Sequence, residues 1–255
     1  MSHHKVEVRN LHFSYPDGHE ALKDISFTIV HGESVGIIGV NGAGKSTILM
    51  LLMGILFPDS GEVLIGDVHL TKKTLPMIRQ RVGMVFQNPD DQLFMTNIYD
   101  DVAFGPRNYK LDEKEVESRV MGALELVGIS ELKNRAPFRL SGGEKRAASI
   151  ACVLSMQPDI LIMDEPTSAL DPKARRRVIG LLNSFTHTKI ITSHDLDLVL
   201  ETCQRVIVVK NGKITADGAT NEILTNSELL DSCGLELPLS IQDCPICSSS
   251  KTSKK

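Results

Sequence analysis

The stretch "SVGIIGVNGAGKST", residues 34–47, decides the fold. "SVGII" (34–38) is an uncharged run that predicts a buried strand, and it leads directly into "GVNGAGKST", Gly39 to Thr47, which fits G-x-x-x-x-G-K-[ST]. A helical pattern follows. Strand, glycine loop and helix in that order make a seat for phosphate. Glycines let the backbone of Gly39, Val40, Asn41, Gly42, Ala43 and Gly44 wrap an anion with its N–H groups inward. Lys45 can then reach the β- and γ-phosphates of a nucleotide, and Ser46, beside Thr47, can ligate magnesium.

Three further apolar runs have the look of buried parallel strands: "RVGMVF" (81–86), "DILIM" (159–163) and "KIIT" (189–192). Helical patterns separate most of them, so the core is an α/β sheet with helices packed on it. Upstream, "VEVRNLHFSY" and "ALKDISFTIV" alternate like antiparallel strands joined by the "PDGHE" turn. No strand is evident between Asn88 and about Met156, where "DEKEVESRVMGALELVGI" has helical spacing with charge on its outer face. This stretch, about 88–156, predicts a helical sub-lobe. "RVIVVKNGKITADG" predicts a hairpin with Asn211-Gly212 in a primed turn. Composition turns to Cys, Ser and Lys at about Pro238, and residues 238–255 are expected to form a flexible tail.

The formal net charge of -4 gives no general reason to expect nucleic-acid binding. The longest run free of charge and proline, "STILMLLMGILF" (Ser46 to Phe57), is shorter than the roughly 20 apolar residues a membrane span needs. "MSHHKVEVRN" lacks the apolar core of a signal peptide, so a cytosolic chain is expected, free to dock on a membrane protein. The 5 cysteines have no regular spacing, which argues against a disulfide framework. Cys152 and Cys203 sit among apolar helical residues as small core side chains.

The strand ends carry the chemistry. Asp164 closes "ILIMD", where a buried carboxylate is costly unless it binds something, and a water-linked magnesium is its natural partner. Glu165 follows and could polarise an attacking water. The plainer reading is an Asp-Glu pair capping the next helix. Gln87 follows "VGMVF" and His194 follows "IITS". Loops at the carboxyl ends of parallel strands line the ligand crevice, so Gln87 can contact magnesium and water while His194 hydrogen-bonds the γ-phosphate. In "SALDPKARRR", Asp171 and Pro172 stand as N-cap and first helical residue; a pure cap and a cap that also faces a partner are equally compatible with that.

"LSGGE" (140–144) opens another helix, and bare amides at a helix start seat anions. Taken alone it is a plain helix cap. It lies in the helical lobe, however, and the first phosphate loop already has its own helix. A second helix start cannot easily approach the same phosphates from within one chain, whereas two chains head to tail allow each lobe to cover the other's nucleotide.

The set "GVNGAGKST", Gln87, "LSGGE", "LIMDEP", "SALD" and "TSHD" resembles the ATP-binding subunits of ABC transporters over nearly the whole chain. The resemblance implies a P-loop NTPase α/β fold, with a mainly parallel core sheet, an N-terminal antiparallel β region and a helical sub-lobe. The nucleotide domain would span 4–237. It implies an ATP-sandwich dimer, homodimer or paralogue pair, in which Ser141, Gly142 and Gly143 of one subunit clasp the γ-phosphate bound by Lys45 of the other. Asp171 would then be a dimer contact. It implies Mg2+ with ATP, held by Ser46, Gln87 and Asp164, with Glu165, His194 and Lys45 catalytic and Tyr15 stacked on adenine. "QNPDDQLFMTNIYDDVAFGPRN" and "LELPLSIQDCPIC" are similar to the energy-coupling-factor importers, particularly their cobalt and nickel members. That likeness implies a transmembrane scaffold, docked beside Gln87, and a substrate-capturing membrane protein. The chain would lie on the cytoplasmic side of the cell membrane, and a vitamin is the alternative cargo. The family often has Gln where Glu144 stands and an arginine near Ala147; Glu144 is expected to point outward. Two rival readings exist. Cys244 and Cys247 of "CPIC" could form a metal-sensing or metal-delivery module, although a closed zinc site normally takes four ligands. A small-molecule kinase would leave "LSGGE" and His194 without a role.

Overall fold

The computed structural model describes residues 5–242. Two antiparallel strands, β1 (Val6–Ser14) and β2 (Glu20–Ile29), lead into β3 (Ser34–Ile38), the phosphate loop and α1 (Lys45–Leu52). Next come β4 (Ser60–Ile65), β5 (Val68–His69), α2 (Leu75–Arg81) and β6 (Val82–Val85). The helical sub-lobe follows with α3 (Ile98–Asn108), α4 (Glu113–Val127) and α5 (Gly142–Leu154). The chain returns through β7 (Ile160–Asp164), α6 (Pro172–Ser184), β8 (Thr188–Thr192) and α7 (Leu196–Thr202). It ends in the hairpin β9 (Arg205–Lys210) and β10 (Lys213–Ala219), then α8 (Thr220–Leu224) and α9 (Ser227–Ser232).

One sheet runs β10-β9-β3-β8-β7-β6, parallel at each pairing except the outer hairpin; the other runs β2-β1-β4-β5 and is antiparallel. The expected α/β architecture is therefore present. Alternate residues of the parallel strands feed two cores. Ile37, Ile162 and Ile190 pack with α1 and the antiparallel sheet, while Ile38, Met163 and Ile191 pack with the helices of the sub-lobe and of the carboxyl-terminal half. Burial on both faces is why these strands read as unbroken apolar runs. Asn211 and Gly212 both have positive φ, as a primed hairpin turn requires. Burial pushes the Cys203 thiol up to about 11, which suits a core residue.

Two details depart from the expectation. β4 and β5 have no counterpart in the strand pattern read from the sequence; Gly61, at φ +87, bends β4 against β1, where the register shifts. The tail predicted from residue 238 begins as a 3-10 turn, Leu239–Ile241, whose Leu239 and Ser240 N–H groups each donate to the Asp197 carboxylate at 3.0 Å. Cys244 and Cys247 lie outside the described residues.

Candidate functional site

The parallel strands β3, β8, β7 and β6 end side by side, and the four loops that leave them meet at one edge. Gly39, directly after β3, has φ +155, and a Cβ there would lie 2.2 Å from the Val209 carbonyl oxygen. At Gly44, φ +107, a Cβ would lie 2.7 Å from Leu22 Cδ2 and 2.9 Å from the Ala21 carbonyl oxygen. Only glycine fits between these walls, so the loop keeps its anion-cradling turn. Lys45 opens α1 and is 7% exposed; its Nζ donates to the carbonyls of Gly39 (2.8 Å) and Val40 (3.2 Å) and lies 3.3 Å from His194 Nε2. Burial lowers the Lys45 pKa, and the carboxylates of Glu165 and Asp164 act the other way.

A cavity of about 410 Å3 is bordered by Tyr15, His19, Asn41, Gly42, Gly44, Lys45, Ser46, Thr47, Gln87, Glu165 and His194. The structure thus brings together residues from five loops that are far apart in sequence. Ala43 is buried in the loop itself, and the Tyr15 hydroxyl lies 3.0 Å from Thr47 Oγ1 at the cavity wall. Asp164 is buried behind Glu165, and Thr192 Oγ1 donates to one of its oxygens. Serine hydroxyl, carboxylate and amide oxygen are hard donors, so Ser46, Asp164 and Gln87 have the chemistry that suits magnesium.

Glu165 has φ +47, rare for a residue with a side chain. Its Oε2 accepts from the His194 N–H (3.1 Å) and from Ser193 Oγ (3.3 Å). Its Oε1 is buried with no hydrogen-bond partner, 3.4 Å from His194 Nε2. An oriented carboxylate with one free oxygen at a phosphate cavity is placed to accept a proton.

Ser141, Gly143 and Asp171 are not part of that cavity. They border another of about 270 Å3, which shares no lining residue with the first. Ser141 caps α5, accepting from the Glu144 N–H, and Gly142 and Gly143 form its first turn. Asp171 Oδ1 caps α6 through the Lys173 and Ala174 N–H groups. The two helix starts touch, since a Cβ on Gly143 would lie 2.9 Å from the Ala174 Cβ. The expectation for Glu144 is overturned. Its carboxylate folds back onto Ser141, because a glutamate three residues after a serine N-cap closes a capping box.

Sequence reading missed Arg146. It is 1% exposed and donates to the carbonyls of Phe86 (2.6 Å) and Gln87, while its Nε has no partner. Lys145 also reaches Asp90 (2.6 Å), and the Gln92 amide donates to the Ser149 carbonyl (2.8 Å), so residues 86–92 are tied to α5 at three points. Arg146→Met should lower kcat for ATP about tenfold with little change in KM, because it frees the Gln87 backbone without touching the phosphate loop. Arg146→Lys should restore part of the loss, and a steady-state ATP titration of both variants checks this. Arg175 was missed too: it pairs with Asp195 through Nε (2.6 Å) and Nη2 (3.1 Å), which ties α6 to the cap of α7 beside His194.

Comparison with known proteins agrees with the geometry. The family model described as ABC transporter matches residues 22–168. A putative ABC transporter ATP-binding protein of Geobacter sulfurreducens is 61% identical over 97% of this chain and 99% of its own length. The energy-coupling factor transporter ATP-binding protein EcfA of Methanothermobacter thermautotrophicus is 47% identical over 91% of this chain and 76% of its own. Among solved structures, cbiO1 of Clostridium perfringens, part of the ABC transporter complex cbiONQ, superposes with a TM-score of 0.80 at 39% identity, covering 91% of this chain and 94% of that one. The phosphate loop, the Asp-Glu strand end and the second helix start thus have their explanation: the chain belongs to the ABC transporter family, as one of its ATP-hydrolysing ATP-binding subunits.

Proposed function

We propose that this subunit powers import of a transition-metal ion, cobalt or nickel, through a membrane complex of the energy-coupling-factor type. The likeness to the EcfA and cbiO1 chains supports this reading, and a vitamin or other micronutrient is the alternative cargo. No helix of the described residues is long and apolar enough to cross a membrane. Phe94 and Phe104 support a scaffold contact on the cytoplasmic side: they are 62% and 40% exposed, pack edge to face at 5.0 Å, and stand just beyond the Gln87 loop.

One observation carries the mechanism: the serine–glycine seat and the phosphate loop border separate cavities of the same chain. A phosphate held by Lys45 meets Ser141, Gly142 and Gly143 only when they come from a second subunit. In that dimer, Tyr15 stacks on adenine, the amides of the loop from Gly39 to Thr47 hold the phosphates, and Asp171 meets the partner beside the seat. Ser46, Asp164 and Gln87 would hold the magnesium ion, which would neutralise phosphate charge. Glu165 takes a proton from water through its free Oε1, and His194 donates to the γ-phosphate. Hydrolysis and phosphate release reopen the pair, and the 86–92 loop carries the motion to the scaffold.

The test replaces the cell's own copy with the Glu165→Gln chain and follows cobalt and nickel uptake. Loss of either metal supports the reading. Unimpaired uptake of both metals, in cells where the chain co-purifies with a membrane scaffold, overturns the metal assignment and leaves the ATPase in place.

A further inference from the structure

We propose that Glu144 is an internal stand-in for the partner's γ-phosphate, which keeps the Ser141 seat filled in the separate subunit and sets the ATP concentration at which two subunits close. The inference rests on the reading of Ser141–Gly143 as a seat used in trans. A single carboxylate oxygen, Glu144 Oε2, accepts from both the Ser141 N–H (2.7 Å) and the Ser141 hydroxyl (2.8 Å). Both donors belong to Ser141, the residue that opens the seat, and its hydroxyl is the side-chain donor the seat offers to an arriving phosphate oxygen. The carboxylate is therefore already bound where the anion must go.

The charge state follows from the same contacts. Donation from the Ser141 N–H and hydroxyl holds the Glu144 carboxyl below its ordinary value, with Arg135 and Arg177 adding to the effect. Glu144 is thus an anion facing the approach of another. Phosphate entry requires the Ser141 hydroxyl to turn its proton from Glu144 to the incoming oxygen and the carboxylate to leave. It has somewhere to go, because Lys173 and Arg177 border the same cavity of about 270 Å3. The exchange breaks one charge-assisted pair to make another and brings two anions together, so it opposes closure by about the repulsion between them.

Glutamine at this position separates charge from capping. Its amide oxygen still accepts from Ser141, as in any serine-x-x-glutamine box, yet it places no negative charge at the seat. The experiment compares the full chain carrying Glu165→Gln with the same chain carrying Glu144→Gln as well. Sedimentation velocity gives the ATP concentration at half-dimerisation, and calorimetry gives the affinity of the lone subunit for ADP. The expected result is half-dimerisation at about five- to tenfold lower ATP for the double variant, the size of a like-charge repulsion across a few ångströms of wet interface, with ADP affinity unchanged. Equal midpoints overturn the proposal and leave the trans seat standing. A matching shift in ADP affinity also overturns it, since the effect would then lie at the phosphate loop. If neither chain dimerises with ATP, the trans seat is itself wrong and Glu144 has no phosphate to imitate.

Discussion

Glu165→Gln is expected to cut ATP turnover by roughly a hundred- to a thousandfold while ATP stays bound. The wild-type side chain is oriented by its own neighbours: Oε2 accepts from Ser193 Oγ and the His194 N–H, and Oε1 is buried without a hydrogen-bond partner, 3.4 Å from His194 Nε2. Glutamine has the same shape and can keep the contact with the His194 N–H through its amide oxygen. Its NH2 group then takes the place of Oε1, where it donates a hydrogen bond and cannot accept a proton. The nucleotide contacts of Lys45 and the loop amides are untouched, so binding persists and only the chemical step fails. The subunit should accumulate as a closed, ATP-filled pair. Phosphate release measured alongside gel filtration with and without ATP checks both parts. Turnover at the parent rate would remove Glu165 from the role of base.

Lys45→Ala should weaken nucleotide binding by a hundredfold or more and abolish turnover with it. The ammonium is 7% exposed, and among the described residues its hydrogen-bond partners are the carbonyls of Gly39 and Val40 and the His194 ring. Burial works against its charge, and Glu165 and Asp164 offset that only in part. A bound phosphate would add counter-charge, so this lysine is expected to gain more from nucleotide than an exposed one. Alanine removes the cation and leaves the loop amides alone to hold a polyanion. Calorimetric titration with ATP measures the loss. Thermal unfolding without nucleotide separates it from damage to the fold, since the apo variant should melt within a few degrees of the parent. Intact hydrolysis by Lys45→Ala would contradict the placement.

How much of this was legible depended on how far each feature reaches along the chain. The phosphate loop, the Asp171 cap, the Asn211-Gly212 turn and the capping serine are local patterns. Each is set by a few consecutive residues whose backbone preferences do not depend on distant neighbours. The four apolar runs were legible for a related reason, because strands covered on both faces need apolar residues at every position. β4 escaped notice since half of it carries Ser60, Gly61 and Glu62, and only its pairing with β1 makes it a strand. Arg146 was passed over because arginine in a helix is ordinarily a surface residue. Its burial depends on carbonyls at positions 86 and 87, which no local pattern brings near.

The amino-acid sequence by itself determined the nucleotide loop, the strand-end carboxylates, the helical lobe and the family, since these rest on residue types at short fixed spacings. Three matters were decided only by the tertiary structure. It placed the phosphate loop and the Ser141 helix start on different cavities, tied the Gln87 loop to α5 through Arg146, and folded Glu144 back onto Ser141. The physical reason is common to all three. Which of several possible partners a polar side chain takes is settled by what the folded chain brings within about 3 Å of it, and spacing along the sequence carries no record of that distance.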